Sequence, residues 1–165
     1  MSTGIVRDTK TRRLLIVVDA ENGGLPFLLD FGKLIAEAKH RYQATSIAKR
    51  FYSPPLRGRR PYALRRNAAR NGFKVCETPA NADGDILYDV STLAISYDVL
   101  LLVSADNGFA DLLDKLRRMG KMINVWSPTE RPSIALQKSC IDGGEYLSIH
   151  SIRTVVEKAT VDREK

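Results

Sequence analysis

The sequence has few of the residues that build disulfides and zinc sites. It contains 2 cysteines and 2 histidines among 165 residues, and Cys76 and Cys140 do not form a CxxC pair. Cysteines so far apart indicate neither a disulfide framework nor a zinc site. We expect both to be buried free thiols.

Long apolar runs and the usual nucleotide-binding motifs are also lacking. No run approaches the ~18 apolar residues of a membrane helix, and the polar, basic N-terminus has no apolar core behind it. We therefore expect a cytoplasmic protein with no membrane partner. Neither GxGxxG nor a P-loop lysine motif follows a predicted strand, which disfavours a Rossmann-type nucleotide-binding enzyme.

Basic residues are in excess, and many of them lie in one segment that has no acidic residue. The chain has 26 Lys and Arg against 19 Asp and Glu, a net charge of +7, which favours a polyanionic partner. With Tyr62 and Phe73 interleaved, such a surface can follow a phosphate backbone while an aromatic ring stacks on a base. A solvated helix face next to a loop is the alternative. We call these cations the basic segment: Arg57, Arg59, Arg60, Arg65, Arg66, Arg70 and Lys74.

The length and the 44% hydrophobic content fit one domain with a sizeable core. We expect a basic N-terminal segment over residues 1–12, a single domain over 13–150, and a helix end or loose tail over 151–165.

Predicted strands alternate with predicted helices along that domain. Residues 14–18 and 99–103 are continuous apolar runs, as in strands buried on both faces of a parallel sheet. Other strands are predicted near 46–52, 73–77 and 122–126, with a last segment from Tyr146. Helices are predicted near 31–41, 61–71, 85–97, 108–119 and 133–139. This order predicts an α/β fold whose mainly parallel sheet is covered on both faces.

Acidic residues follow three of the predicted strands. Asp19 follows the first strand and Asp106 the fourth, and the loop after the third brings Asp83, Asp85 and Asp89. Parallel strands end at one edge of the sheet, where ligands collect in a crevice. Asp85 and Asp89 are four residues apart and share a helical face. Three loops are therefore expected to deliver carboxylates to one edge.

Such a cluster needs a positive partner, because two carboxylates about 4 Å apart repel by roughly 4 kcal/mol. A set of oxygen ligands without histidine or cysteine suits Mg²⁺ or Mn²⁺. Each residue also has an ordinary structural role open to it. Asp19 can form a turn, Asp83 or Asp106 can cap a helix, and Asp85 and Asp89 can lie on a solvated helix face.

Three of these segments together resemble the motifs of one family. "LLIVVDAEN" resembles the D-x-x-N opening of NYN domains, a branch of the PIN-like ribonuclease superfamily. "ADGDILYDVSTLAI" resembles their D-x-D-x-x-x-D helix start, and "LLLVSADNGFADLLDKLRRMGKMINVW" their S-G-D-S-D-F segment. Order and spacing agree from about Leu14 to Trp126. The resemblance implies a three-layer α/β/α PIN-like fold and metal-dependent cleavage of RNA.

The resemblance also implies a set of site residues. Asp83 matches the first acid of the middle motif, with helix capping as its alternative role. The implied metal ligands are Asp19, its partner Asn22, Asp85 or Asp89, and Asp106.

The sequence departs from the family pattern at Gly108, where the family has a second Asp. The amide of Asn107 and, through a water, the carboxylate of Asp111 are candidates to replace it. Two functions stay open. One is a Mg²⁺-dependent or Mn²⁺-dependent endoribonuclease acting through Asp19, Asp85 or Asp89, and Asp106. The other is an RNA-binding or regulatory module that keeps the fold without the chemistry. A homodimer is left open.

Overall fold

A six-stranded parallel sheet forms the centre of the part of the chain that this computed structural model describes, residues 11–20, 25–26, 29–54, 59–78 and 82–156. The strand order is β3-β2-β1-β4-β5-β6, and every neighbouring pair is parallel. The strands are β1 (Arg13–Asp19), β2 (Ser46–Ser53), β3 (Lys74–Glu77), β4 (Val99–Val103), β5 (Met122–Ser127) and β6 (Glu145–Ser148).

Helices cover both faces of the sheet. The helices are α1 (Phe31–Tyr42), α2 (Arg59–Arg70), α3 (Ala82–Thr92), α4 (Ala110–Arg118) and α5 (Ile134–Ser139). Leu34 of α1 and Ala68 of α2 belong to one core cluster, on what we call the α1 face. Ile86 of α3, Leu113 of α4 and Leu136 of α5 belong to a second cluster, on the α3 face. The protein is therefore a three-layer α/β/α sandwich, as predicted.

The alternation of side chains along β1 decides which layer receives its last residue. Ile16 and Val18 join the core on the α1 face, whereas Leu15 and Val17 join the core on the α3 face. Successive side chains of a strand point to opposite faces. Asp19, the next odd-numbered residue, therefore lies on the α3 face, the side from which α3 and α4 begin.

Several element boundaries differ from the predictions. α2 begins at Arg59, so Pro61 is its third residue and not its first. The helix predicted over 85–97 is α3, which starts earlier and ends at Thr92, followed by a short 3₁₀ helix. The hydroxyls of Thr92 and Tyr97 donate hydrogen bonds to the carbonyls of Asp89 and Val90. These hydroxyls donate to carbonyls in the last turn of α3, where backbone partners within the helix run out.

The helix predicted from Gly108 also starts differently, because a 3₁₀ helix, Asn107–Phe109, precedes α4. Ser133, the first residue of the predicted last helix, is instead the N-cap of α5, and its hydroxyl accepts a hydrogen bond from the Leu136 backbone N–H. Among the described residues, no helix combines the length and the apolar character that crossing a membrane requires.

The two cysteines differ in burial. Cys140 is buried, as predicted, and burial raises the pKa of its thiol to about 12. The prediction of burial is wrong for Cys76, which is only partly covered because it lies on the edge strand β3. Both are free thiols. Residues 1–10 and 157–165, at the two predicted terminal segments, lie outside the described residues.

Candidate metal centre

Three carboxylates meet at the carboxyl edge of the sheet. Asp19, Asp83 and Asp106 each offer one oxygen, and these oxygens all lie within 4.8 Å of one another. We call this group the acid cluster. Asp19 ends β1, Asp83 lies in the first turn of α3, and Asp106 follows β4. The strand order reverses between β1 and β4, which is where ligands bind in open α/β sheets.

A buried serine joins the two central strands at the cluster. Val18 pairs with Val103, so Asp19 lies beside Ser104 where both strands end. The Ser104 hydroxyl donates to Asp19 Oδ2 at 2.9 Å and accepts from the Asp106 backbone N–H at 3.1 Å. The sequence analysis did not single out Ser104. The sequence feature that could have identified Ser104 is its position as a polar residue directly after five apolar strand residues.

Asp106 has two roles at once. Its Oδ1 accepts a hydrogen bond from the Gly108 backbone N–H at 2.8 Å, which caps the 3₁₀ helix Asn107–Phe109. It is also a member of the acid cluster. The helix-capping alternative and the cluster position are therefore compatible for this residue.

The three acids of the middle motif are separated by the geometry of α3. Asp83 lies in the acid cluster, whereas Asp85 is exposed and Asp89 accepts a hydrogen bond from the Tyr52 hydroxyl at 2.6 Å. Burial, and then the bond to Asp89, raise the pKa of Tyr52, so its phenol stays protonated and donates. Asp89 lies about 9 Å along the helix from Asp83. Neither Asp85 nor Asp89 belongs to the cluster among the described residues.

Of the two candidates for the acid missing at Gly108, Asp111 lies outside the acid cluster among the described residues, and Asn107 has a hydrogen-bond partner on another helix. The side-chain oxygen of Asn107 is hydrogen-bonded to the hydroxyl of Ser133, the N-cap of α5. Asp111 is exposed in the first turn of α4. A Cβ at Gly108 would lie 3.1 Å from Asp106 Oδ1, so a side chain there would crowd the capping carboxylate.

Most of the described basic segment lies on α2, which packs on the other face of the sheet. Arg65 pairs with Glu77 at 3.0 Å, while Arg66 and Arg70 are exposed. Lys74 is exposed at the start of β3. α2 packs on the α1 face, opposite to the face on which Asp19 lies. Asn22 and Arg57 lie outside the described residues, as do the side chains of Arg59 and Arg60.

The composition of the acid cluster fits a hard cation. Carboxylates 4.8 Å apart repel by about 3 kcal/mol for each pair at an effective dielectric of 20. All three donors are oxygens, and neither histidine nor cysteine is among them. Mg²⁺ and Mn²⁺ prefer such a set. Asp19, Asp83 and Asp106 are the residues that can hold one.

A solved structure has the same fold. It is a protein of unknown function from Vibrio parahaemolyticus, VPA0982, with 17% sequence identity and a TM-score of 0.67. The match covers 87% of this chain and 96% of that one, and at this identity it shows the fold alone. No curated protein has significant sequence similarity to the chain. The sequence model of the NYN domain matches residues 13–143. That match covers most of the chain, including all three acids of the cluster, and the protein therefore belongs to the NYN domain family, with its PIN-like nuclease fold.

Proposed function

We propose that this protein is a metal-dependent endoribonuclease that hydrolyses phosphodiester bonds of RNA at the acid cluster. The observation that carries the proposal is the meeting of Asp19, Asp83 and Asp106 within 4.8 Å at the topological switch point of the sheet. Membership of the NYN family adds a nuclease fold and RNA as the expected substrate.

Each residue of the site has a definite part in the proposal. A bound Mg²⁺ or Mn²⁺ supplies a water of lowered pKa and a Lewis acid for a phosphoryl oxygen. Asp19, Asp83 and Asp106 hold the ion. Ser104 fixes the orientation of Asp19 and the backbone of Asp106. Asp19 is only 4% exposed, so the surrounding protein restricts the movement of its carboxylate.

The charge of the chain supports an RNA substrate. The excess of cations gives a net charge of +7, which favours a polyanionic substrate. Cations of the basic segment hold the phosphate backbone in this proposal, while the carboxylates hold the metal.

Cleavage of a labelled single-stranded RNA tests the proposal. We expect internal cuts by the wild type with Mg²⁺ or Mn²⁺ and none with EDTA. Asp106→Asn should cut about 100-fold more slowly or worse, since lost support of a metal typically costs at least one to two orders of magnitude. Equal cleavage under all three conditions would contradict the proposal.

A second candidate is a non-catalytic RNA-binding or regulatory module. It is favoured by Gly108, because Asn107 is engaged by Ser133 and Asp111 lies outside the cluster among the described residues. The substitution Gly108→Asp separates the two functions. If the wild type binds RNA with steep salt dependence but cuts only after this change, the second candidate is correct.

A further inference from the structure

We infer that Arg50 and Lys74 form a phosphate-binding site on the α3 face, over which a single-stranded RNA runs towards the acid cluster. The inference rests on the proposed function, because it takes RNA as the substrate. It also differs from the simplest view of the basic segment, since most of that segment lies along α2 on the opposite face.

The register of three strands places both cations beside the cluster. Arg50 pairs with Val17 on one side and with Lys74 on the other. Two residues further on, Asp19 pairs with Tyr52. Paired residues of parallel strands point to the same face, so Arg50 and Lys74 form the row directly below Asp19 and Tyr52. From strand rise and spacing, the Cα atoms of Asp19 and Arg50 lie about 8 Å apart.

On the α3 face, β2 and β3 are accessible to solvent around Arg50 and Lys74. Ala48 precedes Arg50 by two residues, points to the same face and is exposed. Lys74 is exposed as well, and Arg50 is partly exposed. β3 is an edge strand of the described sheet. Tyr52, whose hydroxyl bonds to Asp89, and Val17 are buried on the α3 face, whereas Arg50 and Lys74, on the outer strands, keep solvent access.

Arg50 and Lys74 are both available to bind an anionic ligand. Within the described part of the chain, neither Arg50 nor Lys74 takes part in an ion pair, whereas Arg65 is paired with Glu77. Arginine and lysine of this kind bind phosphates. A strand whose scissile phosphate lies at Asp19 would bring a neighbouring phosphate to Arg50. Charge complementarity and this short distance favour a polynucleotide as the occupant.

Binding without cleavage provides the test. We would measure the anisotropy of a fluorescein-labelled single-stranded oligoribonucleotide in EDTA, at several salt concentrations, for wild type, Arg50→Gln, Lys74→Gln and Arg50→Lys. Each Gln variant should bind about 3-fold to 10-fold more weakly and reduce the salt slope by about 0.7, the value for one phosphate contact on a single strand. Arg50→Lys keeps the charge and should retain most of the affinity.

A matched control is Lys39→Gln. Lys39 is exposed on α1, on the opposite face, so its loss lowers the net charge equally without touching the proposed path. An effect of Arg50→Gln and Lys74→Gln no larger than that of Lys39→Gln would overturn the inference. Since Lys74 is exposed on an edge strand, its substitution tests the site even if Arg50→Gln impairs folding.

The outcomes separate the inference from the proposed function. If the Gln variants weaken binding but no variant cuts RNA with Mg²⁺, the phosphate site stands and the nuclease proposal fails. If the wild type cuts RNA and both Gln variants bind and cut equally well, only the phosphate site is rejected. A wild type that binds no RNA rejects both. Competition by polyglutamate as strong as that by unlabelled RNA would also overturn the assignment of a polynucleotide.

Discussion

The Ser104 hydroxyl donates a 2.9 Å hydrogen bond to Asp19 Oδ2, joining the carboxyl ends of β1 and β4. The same hydroxyl accepts the backbone N–H of Asp106 at 3.1 Å. One side chain, 1% exposed, therefore sets the positions of two of the three acids across the topological switch point. This arrangement makes Ser104 a positioning residue of the candidate metal centre.

Removal of that hydroxyl should impair metal binding more than folding. We expect Ser104→Ala to lose about 1–2 kcal/mol of unfolding free energy, because one buried hydrogen-bond network is broken. The Mn²⁺ affinity should fall about 10-fold or more, as is typical when support of a metal ligand is lost. Titration calorimetry and denaturant unfolding measure the two effects.

Ser139→Ala is the matched control for this prediction. Ser139 is equally buried, and its hydroxyl donates to backbone carbonyls of Ala110 and Ala135, away from the cluster. It should lose similar stability with unchanged Mn²⁺ affinity. Equal losses of affinity in both variants would show that Ser104 acts on stability alone.

Neighbouring acids on α3 should respond differently to the same substitution. Asp83 belongs to the acid cluster and Asp85 is exposed outside it. Saturating Mg²⁺ at about 100 times its Kd should stabilise the wild type by about 2.7 kcal/mol, or several degrees of Tm. Asp83→Asn should lose most of this shift and Asp85→Asn should keep it, as measured by thermal unfolding. A larger loss in Asp85→Asn would reverse the assignment.

An added carboxylate at Gly108 should make the protein more dependent on metal. The new Cβ would lie 3.1 Å from Asp106 Oδ1, and crowding with charge repulsion should cost about 1–2 kcal/mol without metal. Mg²⁺ should restore this loss and bind more tightly than in the wild type. Gly108→Asn has the same size without the charge and should not regain stability with Mg²⁺. Identical changes in stability on adding Mg²⁺ to the two variants would contradict the expectation that a fourth carboxylate can join the acid cluster.

Alkaline pH should destabilise the protein through buried phenols. Burial raises the pKa of Tyr52 and raises that of Tyr97 to about 12. Because the folded-state pKa is raised, this stability is fully present below the unfolded pKa of about 10 and is lost as pH rises above it. Each buried phenol should steepen the decline, up to a limit of about 1.4 kcal/mol per pH unit well above a pH of about 10.

Denaturant unfolding between pH 9 and about 11 measures that slope. Tyr52→Phe removes one titrating group, so over this range its free energy of unfolding should fall by about 1.4 kcal/mol less than that of the wild type. Tyr62→Phe, at a position 53% exposed on α2, should leave the slope as it is in the wild type. A slope unchanged in Tyr52→Phe would contradict ionisation of that phenol on unfolding.

The fold was predictable because its strands carry a strong local signal. β4 reads VLLLV and is buried at every position, as a continuous apolar run predicts for a parallel sheet. Since parallel strands end at one edge, the convergence of Asp19 and Asp106 followed from strand type alone. The helix ends were less predictable, because the hydroxyls of Thr92 and Tyr97 donate to carbonyls in the last turn of α3, and periodicity does not show such contacts.

The composition of the site depended on contacts that spacing does not encode. Asp85 and Asp89 share a helical face, yet that face meets Tyr52 and solvent, while Asp83 in the first turn reaches Asp19. Arg50 lies within a strand, and only the register of β2 with β1 shows that it lies two residues from the partner of Asp19. These relationships arise from packing between distant segments.

The direct test of the central claim is anomalous diffraction from a crystal soaked in Mn²⁺. We predict a manganese peak bounded by carboxylate oxygens of Asp19, Asp83 and Asp106, and its loss in a crystal of Asp83→Asn. Absence of a peak between these three side chains at saturating Mn²⁺, or a peak held by other residues, would contradict the claim.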